Sequence, residues 1–66
     1  MSSSIDGDTI RQIRKKRGQD QTEFGLEIYD TTPGTAQKLV SDLENENIQP
    51  GKAAIKTIRR MQRGEI

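Results

Sequence analysis

The chain has 66 residues, of which 29% are apolar and 32% charged, and its formal net charge is only +1. A chain of this length folds as one domain around a small core, which favours short helices with local contacts over a large sheet or a buried catalytic chamber. The absence of cysteine and histidine excludes disulfides and thiolate or imidazole metal sites. The N terminus is polar and no apolar run exceeds three residues. The sequence therefore predicts neither a signal peptide nor a membrane span, and we expect a cytoplasmic protein.

The first helix is predicted from about Asp8, as its N-cap, to Arg17, and Gly18 should end it. We assign the preceding residues 1–7 to a flexible tail. No period-two run of β-branched or aromatic residues occurs anywhere, so no strand is expected.

The second helix should start at Asp20, because Glu23 follows three residues later in capping-box order. Phe24 and Ile28 stand four residues apart on its expected buried face. Leu26 points away from that face. It either packs under the following turn or contacts a second protein, and the same alternatives hold for Tyr29.

The third helix should begin at Thr32 and Pro33, a capping hydroxyl followed by proline at the first helical position. It should end near residues 45–47, and the fourth helix should span about residues 51–62. Residues 63–66 form a short C-terminal tail. The apolar side chains expected to face the core from these two helices are Ala36, Leu39, Val40, Leu43, Ala54, Ile55, Ile58 and Met61.

Together these segments predict an all-α domain of four helices over residues 8–62, with a helix-turn-helix at its centre. A turn between two short helices, the second presenting a polar face, is the arrangement that fits the major groove of DNA. The charges are uneven. Residues 1–18 carry five basic and two acidic groups, residues 19–50 one basic and seven acidic, and residues 51–66 five basic and one acidic. The basic ends favour a nucleic-acid partner and the acidic middle counts against one.

Two motifs resemble a known family. Residues 10–14 read Ile-Arg-Gln-Ile-Arg and, after a basic run and Gly18, residues 20–25 read Asp-Gln-Thr-Glu-Phe-Gly. This order resembles the start of phage Cro and repressor-type domains, where an apolar-x-x-apolar-Arg helix leads through glycine to Ser-Gln-x-x-apolar-Ala. Residues 43–45, Leu-Glu-Asn, followed by Pro50 resemble the family's Ile-Glu-Asn-Gly-x-x-x-Pro ending.

The resemblance covers residues 8–62 and implies a lambda-repressor-like fold. It also implies a phage-type or bacterial transcriptional regulator that occupies an operator on double-stranded DNA. One departure is an excess of about five residues between the second and third helices, with Tyr29-Asp30 in place of the turn glycine. Either the turn is a longer loop or the third helix starts early at Pro33, and the cap signal favours the early start.

The third helix supplies the candidate base contacts. With its apolar stripe inward, Lys38 faces directly outward, and Gln37 and Ser41 flank it. Gln37 could bond an adenine edge, Lys38 a guanine or a phosphate, and Ser41 either a base or a phosphate. The alternative is a solvated polar face such as any surface helix has. Asp42 is repelled by phosphate unless it accepts from cytosine, so we place it at the rim.

Phosphate contacts are expected on both sides of this helix. The resemblance implies that Gln21, at the start of the second helix, and Asn45, at the end of the third, each bind a phosphate. Arg14 and Lys15 from the first basic cluster could add backbone contacts, as could Lys52, which lies nearest the predicted groove. The alternative for these basic clusters is solubility together with compensation of the helix dipole.

No cofactor, metal, membrane or small-molecule partner is expected, and the sequence predicts no enzyme, because no histidine or buried lysine could tune the surface carboxylates. A weak dimer, a dimer formed on DNA and an excised domain are all compatible with a chain that ends at Ile66. The competing interpretation is a protein-interaction module on the same fold, favoured by the acidic middle and by Leu26 and Tyr29. The potential over the outer face of the third helix discriminates the two: dominance by Asp42, Glu44 and Glu46 would favour a basic protein partner.

Overall fold

The computed structural model describes residues 5–66, which form four helices and, within that range, no strand. The helices are α1 (Gly7–Lys16), α2 (Gln21–Ile28), α3 (Pro33–Glu44) and α4 (Lys52–Gln62). The predicted small all-α, four-helix fold is confirmed. None of the four helices is long and apolar enough to cross a membrane.

The start of α1 differs from the prediction. Its N-cap is Asp6, whose Oδ1 accepts a hydrogen bond from the Thr9 backbone N–H at 2.8 Å, so the prediction of Asp8 as the cap was wrong. Asp8 lies in the first turn, where a carboxylate also favours the helix dipole. Ile5 is buried just before the cap and Ile10 is buried at the fourth helical position, the two places of a hydrophobic staple.

Residues 5–7, which were assigned to a flexible N-terminal tail, belong to the folded part: Ile5 is buried, Asp6 caps α1 and Gly7 is its first residue. Residues 1–4 lie outside the described residues. At the other end of α1, Gly18 has a φ of 69°, a left-handed conformation in which glycine carries no steric penalty, and it ends the helix as predicted.

Both predicted starts of the central helices are confirmed. The Glu23 backbone N–H donates to Asp20 Oδ1 at 2.8 Å, and the Asp20 N–H donates to Glu23 Oε1 at 3.0 Å, which completes the capping box of α2. Helix α3 starts at Pro33, as the early-start alternative predicted, and a four-residue connection, residues 29–32, joins it to α2. Thr32 occupies the N-cap position, but its hydroxyl bonds the Thr35 hydroxyl instead of a backbone N–H.

The core is built from all four helices. Its fully buried large side chains are Phe24, Ile10, Leu43, Ile58 and Val40. Several further apolar side chains are partly buried against this cluster: Ile13, Ile28, Ile48 and Ile55. Leu39 is also only half-buried. Ile5 is a core residue that the prediction missed, because it precedes the first apolar repeat.

Helices α2 and α3 form the most extensively packed pair. They approach closely at Gly25, where a Cβ atom would lie 2.5 Å from the Ala36 carbonyl oxygen and 2.9 Å from Ala36 Cβ. Contacts this short do not occur between real atoms, so the residue at position 25 must lack a side chain. This contact fixes the axis of α3 against α2.

Candidate nucleic-acid interface

The three candidate base-contacting residues lie on one side of α3. Gln37 and Lys38 are exposed and Ser41 is half-buried. At 100° per residue their side chains fall within an arc of about 100° on the helix. The buried residues of the same helix, among them Ala36 and Val40, lie outside this arc and face the core. The structure thus brings these polar groups together on an accessible ridge, which we call the α3 ridge (Gln37, Lys38 and Ser41).

Asn45 extends the ridge at the C-cap of α3. It is exposed, and its Nδ2 donates to Ser41 Oγ at 3.5 Å. This weak bond joins the side chain expected to bind a phosphate to a neighbour expected to bind a base or a phosphate. It leaves the carbonyl oxygen of the Asn45 amide without a hydrogen bond to residues 5–66.

Glu44 is the buried carboxylate of α3. The residue is only 7% exposed. Its Oε2 accepts from Arg14 Nε at 2.7 Å, and its Oε1 accepts from Arg14 Nη2 at 3.3 Å and from Arg11 Nε and Gln21 Nε2 at 3.4 Å. Its negative charge is matched inside the protein, so it contributes little to the potential over the ridge.

The pKa of Glu44 reports the same balance. Burial alone would raise the pKa of this carboxyl. The hydrogen bond and the positive charge of Arg14, assisted by hydrogen bonds from Gln21 and Arg11, outweigh burial and hold the pKa below its ordinary value. The group therefore stays ionised at neutral pH.

Two of the expected phosphate ligands are engaged in this network. The side chain of Arg14 is only 16% exposed, and its Nη1 also donates to the Gln19 carbonyl at 3.2 Å. Gln21 is half-buried and points its amide at Glu44. The guanidinium of Arg14 is thus engaged in a largely buried ion pair with Glu44 and is not part of the α3 ridge.

The ion pair between Arg14 and Glu44 has a signal in the sequence. Position 44 falls on the buried side of α3, one residue after Leu43 and four after Val40. A carboxylate on a buried stripe requires an internal cation, and Arg14 stands four residues after Ile10 on the buried side of α1. Pairing the two would have removed Arg14 from the phosphate contacts.

The remaining expected phosphate ligands are accessible. Lys15, near the end of α1, and Lys52, at the start of α4, are exposed, and neither forms an ion pair with any of residues 5–66. Of the three carboxylates that bear on the potential, Asp42 is half-buried and Glu46 is exposed in the loop after α3. Because the charge of Glu44 is balanced by Arg14, the net negative charge near the ridge is smaller than the sequence alone suggests.

Leu26 and Tyr29 behave differently from each other. Tyr29 packs against the core, and burial raises the pKa of its hydroxyl. Leu26 remains 44% exposed on α2. Tyr29 is therefore part of the packed domain, whereas Leu26 presents an exposed apolar side chain.

Comparisons of the chain with protein-family models, with curated proteins and with solved structures find no match. The resemblance to Cro and repressor-type domains thus rests on the two sequence motifs. Across residues 5–66, no group of three or more acidic side chains is arranged to hold a metal ion.

Proposed function

We propose that the protein binds double-stranded DNA sequence-specifically, with α3 lying in the major groove. In this proposal it acts in the cytoplasm as a phage-type or bacterial transcriptional regulator that occupies an operator. The observation that carries the proposal is the accessible α3 ridge. The buried carboxylate of the same helix, Glu44, has its charge balanced by Arg14. A helix that presents polar groups and one cation, and whose other side is packed against the rest of the domain, is suited to reading base edges.

The roles of the ridge residues follow from their chemistry. The Gln37 amide can both donate to and accept from an adenine edge, and the Lys38 ammonium can donate to guanine acceptors. Ser41 can bond a base or a phosphate. Lys15, Lys52 and Asn45 would contact phosphates and so fix the register of α3 on the duplex.

Asp42 is the least favourable group for this function. It stands four residues after Lys38, so an ammonium at position 38 reduces its repulsion of phosphate. At the rim of the groove its carboxylate could accept from the amino group of cytosine. That role predicts a preference for cytosine at one edge of the operator.

Selection from a pool of random duplexes at two salt concentrations tests the proposal. We expect enrichment of one motif, with affinity falling steeply with salt because each neutralised phosphate contributes a slope of about −0.9. A matched protein with alanine at all three positions of the α3 ridge should retain weak, salt-dependent binding but enrich no motif. Failure of the wild-type protein to enrich any motif would contradict sequence-specific binding.

The second candidate function is a protein-interaction module without DNA binding. The exposed Leu26 on an acidic surface favours it. The same selection discriminates the two functions, since a module that only binds proteins would show neither an enriched motif nor a steep salt slope.

A further inference from the structure

Gly34, the second residue of α3, is a glycine that the fold itself does not require. It is exposed, and within residues 5–66 nothing lies within 4 Å of the place where a Cβ atom would stand. Its φ is not positive, so its backbone suits any residue. A glycine inside a helix lowers stability relative to alanine. Because α3 begins as early as Pro33, position 34 is already helical and bears this cost.

Each of the other five glycines has a reason within the chain. A Cβ atom at either of two of them would meet the backbone of another helix at 2.2 Å or 2.5 Å, two more have a left-handed φ, and the last is an N-cap, where glycine is well tolerated. These are, in that order, Gly7 and Gly25, Gly18 and Gly64, and Gly51. The missing side chain at Gly34 is therefore explained by what α3 meets outside the chain.

Gly34 lies in line with the α3 ridge. At 100° per residue it falls about 20° from Ser41 and about 40° from Lys38 around the helix axis, and Gln37 lies on its other side. The buried Leu43 is about 180° away. A surface that binds the α3 ridge therefore also faces Gly34, one turn nearer the start of the helix.

The chemistry of this position selects among the groups that a major groove presents. Gly34 offers an apolar Cα and has no side-chain donor or acceptor. The base edges carry hydrogen-bonding groups, which gain nothing from an apolar contact, and one apolar group, the C5 methyl of thymine. This methyl group projects into the groove, and a helix position without a Cβ atom leaves room for it.

We propose that Gly34 is a specificity-determining residue whose bare backbone packs against the methyl group of a thymine in the operator. The inference rests on the proposed function and adds to it a base contact that no side chain makes. The thymine lies next to the base pairs read by Gln37 and Lys38, because Gly34 precedes them by one turn on the same side of α3. Alanine at position 34 would place a second methyl group in the space that the thymine methyl occupies.

Moving a single methyl group between protein and DNA tests the contact. In the operator selected from random duplexes, each thymine is replaced in turn by uracil, which lacks only the C5 methyl. The wild-type protein should lose about fourfold in affinity at one such position, the effect of removing one methyl group from an apolar contact. Gly34→Ala should bind the unmodified operator about tenfold more weakly than the wild-type protein, because the two methyl groups overlap. With uracil at that same position its affinity should return, since only one methyl group then fills the space.

Gly51→Ala is the matched control. Its new methyl group also stands in open space, but at the N-cap of α4, so its affinities for both operators should follow those of the wild-type protein. Urea unfolding checks that Gly34→Ala is folded.

The outcomes separate this inference from the proposed function. If the wild-type protein binds its operator but Gly34→Ala binds equally tightly, or if no uracil restores the binding of the variant, the contact at Gly34 is wrong and sequence-specific binding stands. A wild-type protein that enriches no motif would contradict both.

Discussion

Arg14 of α1 and Glu44 in the last turn of α3 form an ion pair, with 2.7 Å between Nε and Oε2. Their side chains are 16% and 3% exposed. Arg11 and Gln21 complete the contacts of the carboxylate, so the pair joins α1, the start of α2 and the end of α3. Gly7 lies against the same place: a Cβ atom there would come within 2.2 Å of the Glu44 carbonyl oxygen. The C-terminal end of α3 is thereby held against α1 by both backbone and charge.

Removing one partner of this pair should be costly, whereas removing both should not. We expect Arg14→Met and Glu44→Leu each to lower the free energy of unfolding by up to about 3–5 kcal/mol, because the remaining charge stays largely buried without its main partner. The double variant should lose much less than the sum. Thermal unfolding followed by circular dichroism, with sulfate added to keep the single variants folded, measures the cycle.

Arg11→Met is the control for this cycle. Its side chain is 43% exposed and its Nε lies 3.4 Å from Glu44 Oε1, so solvent screens the interaction. We expect a loss of less than about 1 kcal/mol. Strict additivity of the Arg14 and Glu44 variants would show that the two side chains are not coupled.

Acid should destabilise the protein partly through Glu44. Its pKa is lowered in the folded state, so the unfolded chain takes up the proton first as the pH falls. The contribution is fully present above the ordinary pKa of 4.5 and is lost as the pH drops through the folded value. Denaturant titrations from about pH 6 to pH 3 should therefore give a shallower loss of stability for Glu44→Gln than for the wild-type protein. Asp6 and Glu65, whose pKa values are also lowered, contribute equally to the acid dependence of both proteins. An equal loss of stability with pH in Glu44→Gln and in the wild-type protein would therefore contradict the role given to Glu44.

The contact at Gly25 predicts opposite outcomes for two identical substitutions. Gly25→Ala should destabilise the protein by more than about 1 kcal/mol, because the new methyl group overlaps the backbone of Ala36. Gly34→Ala, also in a helix but with nothing within 4 Å of the new Cβ, should stabilise it by about 0.5–1 kcal/mol. Urea unfolding of both variants checks the pair, and a neutral Gly25→Ala would show that α2 and α3 can move apart freely.

The role of Lys38 in reading a base can be measured once an operator has been selected. Lys38→Ala should weaken operator binding by about 1–3 kcal/mol and relax the preference at one base position. Lys52→Ala, a loss of the same charge at an expected phosphate contact, should weaken binding to all sequences alike and reduce the salt slope by about 1. Unchanged preferences in Lys38→Ala, measured by competition between operator variants, would remove this residue from the base contacts.

Much of the fold follows from local sequence signals. The capping box at Asp20 and Glu23 and the Thr32-Pro33 start each depend on residues within one turn, and both helix starts are confirmed. The start of α1 was predicted at Asp8 and lies at Asp6, because two aspartates two residues apart both precede Ile10 and Ile13. The spacing of Ile5 and Ile10, the two staple positions around Asp6, is a local signal that favours Asp6 as the cap.

The parts of the candidate site that the sequence could not supply are long-range. Arg14 and Glu44 are 30 residues apart, and their pairing changes a predicted phosphate ligand into an internal contact. The need for glycine at position 25 likewise depends on how closely α3 approaches. The arrangement of the α3 ridge, in contrast, follows from helical periodicity alone.

The four helices do not hold one another equally. Helices α2 and α3 share far more of their surfaces than α4 shares with α1 or α2. Partial opening should therefore release α4 first, and its backbone amides should exchange with deuterium well before those of α3. While α4 is detached, α3 would remain packed against α2. The α3 ridge would therefore keep its arrangement even when the domain as a whole is partly unfolded.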